Sequence, residues 1–243
     1  MSGGMPKPAG AYCRARITKD EELRYISHLD YASLMQRAIR RAKLPAAYSE
    51  GFNPHMKLSF ASALSVGVTS DAEYMDLELA KAIPETEIAG RLRPVLPAGV
   101  RLLGLQLLTS KPKALMALTD EAEYEITVPL YGSFEDVRAA LASFNAAKEC
   151  VYLRKTPKKR REIEIRQYMH GDVRAETIGA GQVKLTMAIR ITPGGSVKPQ
   201  EVLALLCDRF ALPVQPENAS VHRLALLGGG KALLSGEAGE VRA

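Results

Sequence analysis

The chain has 243 residues, 47% of them hydrophobic and 25% charged, with a net charge of +6. That balance belongs to a folded, water-facing protein with room for two ordinary domains, and it excludes fibrous and intrinsically disordered classes. No apolar run reaches the ~18 residues that a membrane-spanning helix needs, so a cytoplasmic protein without membrane contact is expected.

Residues 1–10, MSGGMPKPAG, read as a flexible tail, since they lack the apolar core of a signal peptide. Tyr12 to Thr18 alternates, with Cys13, Ala15 and Ile17 on one face and Tyr12, Arg14, Arg16 and Thr18 on the other, which predicts a half-buried strand. Ser27 followed by Asp30 predicts a helix cap. The helix, near 28–43, would turn Tyr31, Leu34, Met35, Ala38 and Ala42 inward and Arg37, Arg40 and Arg41 outward. A loop follows Pro45, with sharp turns at Gly51 and Asn53-Pro54, and Lys57 to Phe60 can be extended. Glu73 to Leu79 alternates again. A helix near 84–93 starts at Pro84, carries Glu85 and Glu87 in its first turn, and turns Ile88 and Leu92 inward. Val100 to Leu108 closes the set as a strand.

After Lys111-Pro-Lys113 the same order returns. Tyr124 to Leu130 alternates, Ser133 with Asp136 caps a helix near 133–147, and Cys150–Arg154 and Glu162–Tyr168 are extended. Val183 to Ile191 alternates, a helix covers 198–210, Val221–Leu227 is a strand, and 228–243 reads as a flexible tail. Two successive β-α-β-β-α-β units predict an α+β chain of two tandem ferredoxin-like domains, at 11–110 and 119–227. Each would be an antiparallel sheet with its helices on one face. In that topology Arg14 and Arg16 are expected to face Asp76 and Glu78 on the open side of the first sheet. Glu123 and Glu125 are expected to face Lys184 and Arg190 on the second.

Chemistry concentrates in two places. The first is the loop Ser49, Glu50, Gly51, Phe52, Asn53, His55 and Lys57, with His28 and Asp30 at the preceding helix start. This cluster has more donors and acceptors than a connection needs, so these residues are candidates for binding a substrate or partner. His28 and His55 are the candidates for acid–base catalysis, although no Ser-His-Asp pattern or phosphate-cradling loop accompanies them. The second is the run Arg154, Lys155, Lys158, Lys159, Arg160 and Arg161, which turns residues 114–243 from net acidic to slightly basic. Charges so close repel, so an anionic partner is expected. RNA fits better than a membrane because no apolar face accompanies the run. Arg37, Arg40 and Arg41 join these six as expected nucleic-acid contacts. Cys13, Cys150 and Cys207 are far apart and odd in number, which argues against disulfides and predicts no metal or cofactor in this chain.

The strings RYISHLD and SEGFNPHMKLSFASALSVGV are similar to those of the radical SAM-linked protein family of unknown function, whose members occur alone or fused to the C-terminus of a radical SAM protein. The resemblance is close over 12–108 and looser to about 227, including KKRREIEIR; Met56 stands where the family leads one to expect proline. It implies a separate radical SAM enzyme as partner, carrying the iron–sulfur cluster and S-adenosylmethionine, with cobalamin a further candidate there. This chain has no CxxxCxxC triad to hold such a cluster. The expected function is therefore that of an accessory or substrate-presenting protein for RNA modification or maturation, a non-catalytic partner. The alternatives are a stand-alone histidine-dependent RNA-processing enzyme and a pure protein-docking module.

Overall fold

The computed structural model describes residues 11–155, 160–179 and 181–234. The chain divides into two compact units, residues 1–119 with 227–243 and residues 120–226. The expected tail at 1–10 lies outside the described residues.

In the first unit the elements run β1 (Ala11–Lys19), α1 (His28–Arg41), β2 (Leu58–Phe60), β3 (Val68–Leu79), α2 (Glu85–Leu92), β4 (Leu102–Leu108) and a single-turn α3 (Leu115–Leu118). The strand order is β4-β1-β3, with the short β2 on the remaining edge of β3, and these pairings are antiparallel. Alternation places Cys13, Ala15 and Ile17 of β1 beside Met75, Leu77 and Leu79 of β3. These side chains share one buried core with Tyr31, Met35, Ala38 and Ile39 of α1 and Ile88 and Leu92 of α2. Each large side chain buried in this way contributes about 1.5–3 kcal/mol. The strand β3 starts at Val68, well before the alternating stretch from Glu73. Val68, Thr69 and Ser70 are all buried in succession, so no polar face marks them as a strand.

The second unit holds β5 (Glu121–Pro129), α4 (Phe134–Ala146), β6 (Val151–Lys155), β7 (Arg160–Glu164), β8 (Arg174–Ile178), β9 (Gln182–Arg190), α5 (Pro199–Phe210) and all but the last two residues of β10 (Ser220–Gly228). Its strand order is β10-β5-β9-β8, while β6 and β7 form a separate two-stranded ribbon. Here the sequence expectation is corrected. The strand beside β9 is β8, and 162–168 divides into the end of β7 and a turn of 3-10 helix at Arg166–Tyr168. β8 reads RAETI and is mostly exposed, so it has no apolar periodicity to announce it. Ser133 and Asp136 do form the full reciprocal cap of α4.

The cross-strand charges follow the register. Arg14 lies directly opposite Asp76 and donates from Nε and Nη2 to its two carboxylate oxygens at 2.8 and 2.9 Å. Arg16 does not meet Glu78: Tyr74 is opposite Arg16, whose Nε bonds the Asp71 carbonyl at 2.8 Å, and Glu78 accepts from Lys57 at 2.7 Å. On the second sheet Lys184 reaches Glu125 at 3.5 Å, while Glu123 is opposite Ala188 and Arg190 is opposite Glu121. Burial first, then neighbouring Glu121, pushes the Glu123 carboxyl above its usual range.

Arg14 and Asp76 are 6% and 7% exposed, so their face is not open as expected. Arg14 Nη1 donates to the Leu233 carbonyl at 3.1 Å. Residues 228–234, expected in the tail, are ordered here: β11 (Lys231–Ala232) folds back on Leu227 and Gly228, and Leu234 is buried. A Cβ on Gly228 would meet the Leu118 carbonyl oxygen at 2.1 Å, so only glycine admits this approach.

Breaking a buried ion pair strands one charge without water. Asp76→Ala is expected to destabilise the protein by about 3–5 kcal/mol, measured by urea unfolding. The double variant Arg14→Met with Asp76→Leu, which removes both charges, is expected to recover most of that loss.

Candidate functional site

The turn leading into α1 is fixed from beneath. Lys19, 2% exposed, donates its ammonium to the carbonyls of Arg24 and Ile26 at 3.2 Å each. Arg24 and Gly67 exchange two further bonds, one from the Arg24 Nε and one from the Gly67 amide, both 2.9 Å. Ser27 caps the helix by accepting from the Asp30 amide at 3.2 Å, and its hydroxyl donates to the Asp30 carboxylate at 2.6 Å. Asp30 is thus engaged in the cap.

His28 follows at the first helical position, half-buried, with its ring edge-on to Phe60 of β2 at 5.4 Å. Phe60 in turn packs near Tyr31, whose hydroxyl donates to the Thr18 carbonyl at 2.6 Å. His55 is exposed on the loop, where its amide donates to Ser49 Oγ at 2.9 Å and its carbonyl accepts from the Ser49 amide at 2.8 Å. These bonds, with a bridge between Tyr48 and Met56, close the loop at its base. Among the described residues no hydrogen bond joins His28 to His55, and neither imidazole has a hydrogen-bonded partner.

The loop thus sorts the candidates. Ser49 holds the loop shut, and Lys57 pairs with Glu78, whose hydrogen bond raises the lysine above its ordinary range. Gly51 has φ +116°, a conformation that side-chain-bearing residues rarely adopt. Glu50, Phe52, Asn53 and His55 point outward, and Phe52 is fully exposed at 106%. The sequence reading missed Tyr48. It is 41% exposed at the loop base, with Arg40 Nε 3.5 Å from its hydroxyl, and the signal for it was an aromatic residue just before the loop. Arg37, Arg40 and Arg41 are exposed on α1, Arg41 donating to the Val95 carbonyl at 2.7 Å. Tyr48 and Arg40 thus set an aromatic side chain and a cation together at the loop base.

The basic run is divided. Lys158 and Lys159 lie outside the described residues. Lys155, Arg160 and Arg161 are exposed. Arg154 instead forks onto Glu201 of α5, Nε and Nη2 each 2.6 Å from a carboxylate oxygen. That hydrogen bonding holds Arg154 above its ordinary value. Burial alone would raise the Glu201 carboxyl, but the Arg154 fork and the Lys198 amide keep it below its usual range. Burial pushes the Cys13 thiol up to about 12 and the Cys207 thiol up to about 11, so neither is a thiolate near neutral pH.

A family model described as uncharacterized protein conserved in bacteria, DUF2344, matches residues 13–199. The chain belongs to this family. No curated protein matches this DUF2344 chain. Among solved structures it is similar to a chain of a Cbf5–Nop10–Gar1 complex, at TM-score 0.50 and 10% identity, covering 88% of this chain and 48% of that one. It is also similar to a chain of an archaeal box H/ACA sRNP Nop10–Cbf5 complex, at TM-score 0.44 and 11% identity, covering 89% and 47%. The DUF2344 chain thus spans about half the length of these solved chains, and the likeness to the first, at TM-score 0.50, is one of fold alone.

A Cβ at position 51 would meet no atom within 4 Å, so the cost of filling it is purely in the backbone. Gly51→Ala is expected to destabilise the protein by about 1–2 kcal/mol and to speed hydrogen exchange at the Ser49 and His55 amides, followed by mass spectrometry.

Proposed function

We propose that this chain is a non-catalytic accessory protein that binds RNA and presents it to a radical SAM enzyme. The observation that supports the RNA half is the exposure of aromatic and cationic groups on α1 and the loop that follows it. Phe52 offers a whole ring to solvent, Tyr48 sits against Arg40, and Arg37 and Arg40 line the outer face of α1. Single-stranded nucleic acid is held by this combination: bases stack on aromatic faces, and guanidinium groups take phosphates. No folding role accounts for a fully exposed phenylalanine on a loop tip. The radical SAM half rests on the RYISHLD and SEGFNPH strings. They include Tyr25 and Leu29, 73% and 76% exposed, so part of the distinctive motif is surface rather than core.

In this reading the iron–sulfur cluster, the S-adenosylmethionine and any cobalamin belong to the partner, and the pair works in the cytoplasm. The two strand orders, β4-β1-β3-β2 and β10-β5-β9-β8, support reading both units as ferredoxin-like, with the ribbon inserted in the second. His28 serves as a packing residue against Phe60 and His55 as an exposed contact on the same loop as Phe52, rather than as acid and base.

The test is fluorescence polarisation with a labelled single-stranded RNA. Phe52→Ala is expected to weaken binding roughly 5- to 100-fold, the loss of one stacked base. Replacing Arg37, Arg40 and Arg41 with Ser is expected to flatten the slope of log affinity against log salt by about 2, at ~0.7 per phosphate. Unchanged affinity in Phe52→Ala would remove the RNA reading. Co-purification with a co-expressed radical SAM enzyme tests the other half.

A further inference from the structure

The ribbon of β6 and β7 carries charges that its own fold does not require. Residues directly opposite on an antiparallel pair share a face, with Cβ atoms about 5 Å apart, and like charges there repel. The register sets Arg154 opposite Arg161 and Lys155 opposite Arg160, so two consecutive rungs set cation against cation. One rung is balanced. Glu201, 9% exposed, takes the Arg154 fork and accepts the Lys198 amide at 2.8 Å, while Arg154 Nη2 also donates to the Ser196 carbonyl at 3.0 Å. The other rung is not. Lys155 and Arg160 are exposed and have no carboxylate partner among the described residues, and the same holds for Arg161.

We propose that the ribbon is a clamp for an RNA backbone, in which Lys155, Arg160 and Arg161 take phosphates and the Arg154–Glu201 fork positions the ribbon on α5. This rests on the RNA reading above and names residues in the second unit that carry it. Two cations whose Cβ atoms lie about 5 Å apart across a rung can take neighbouring phosphates of one strand. Val151 and Leu153, which are partly exposed, share a face with Lys155, but Glu164 and Glu162 stand opposite them. An anionic membrane would be repelled by those carboxylates, whereas a strand that crosses at the Lys155–Arg160 rung and passes Arg161, which lies on the other face, avoids them. Arg154 is a positioning residue here. Its Nε and Nη2 are already taken by a carboxylate and a carbonyl.

The experiment is a salt titration of RNA binding by the full chain, with hydrogen exchange of the ribbon amides as a second measurement. Changing Lys155, Arg160 and Arg161 together to Ser is expected to flatten the salt slope by about 2, at ~0.7 per phosphate. Glu201→Gln gives a test of sign. It removes a negative charge, so electrostatics alone predicts tighter binding. Positioning predicts weaker binding, about fivefold, at an unchanged salt slope, with faster exchange in β6 and β7. Arg154→Gln is expected to lose as much, and the double variant no more than either. Tighter binding by Glu201→Gln overturns the positioning role. A flatter slope in Arg154→Gln overturns it too, because Arg154 would then touch phosphate itself. RNA binding whose slope survives the triple variant overturns the clamp while leaving the Phe52 surface standing, and so does tighter binding to anionic vesicles than to RNA. If the wild type binds no RNA at all, the clamp and the RNA reading fall together; ribbon exchange in Glu201→Gln then decides the positioning role alone.

Discussion

The first unit depends on one buried fork. Arg14 and Asp76 lie on adjacent strands at the same register position, each almost without solvent, and their two bonds consume both carboxylate oxygens. A charge pair removed from water is stable only when its remaining donors are satisfied. The Leu233 carbonyl supplies that satisfaction at Nη1. The fork therefore ties together three parts of the chain distant in sequence: the first strand, the long central strand and the returning C-terminal segment. It also explains why residues 228–234 are ordered although their composition is that of a tail.

The same logic separates structural from outward-looking polar groups in the motif around α1. A polar side chain that already has a full set of partners is not available to a ligand. Asp30 and Ser49 are engaged locally in a cap and a loop closure, and Lys57 is held by Glu78. Lys19, which no sequence pattern singled out, is the buried cation that shapes the turn before the helix. What remains for recognition is a smaller set: Phe52, Tyr48, His55 and the arginines of α1. In the proposed reading these aromatic faces and guanidinium groups do the recognising, and that chemistry requires no catalytic geometry.

In the second unit charge is distributed by a comparable rule. The basic run looked uniform in sequence, six cations with equal claims. In the fold, strand pairing makes neighbours of residues far apart in the run, and a single carboxylate on α5 selects Arg154 from among them. One arginine becomes an anchor, and those left uncompensated become candidates for phosphate.

Period and punctuation in the sequence were enough to determine most elements. The alternation of Cys13, Ala15 and Ile17, the Ser27 and Ser133 caps and the Gly51 turn are local patterns, and local patterns are written in adjacent residues. The buried start of β3 and the polar β8 were not legible, because one lacks a polar face and the other an apolar one. The residues that would carry function were also named largely by type and clustering. Which of them are free was not, since that depends on partners brought from elsewhere in the chain: Glu78 to Lys57, Glu201 to Arg154, Leu233 to Arg14. Sequence states the charge of a side chain; only the tertiary structure decides whether that charge is already answered.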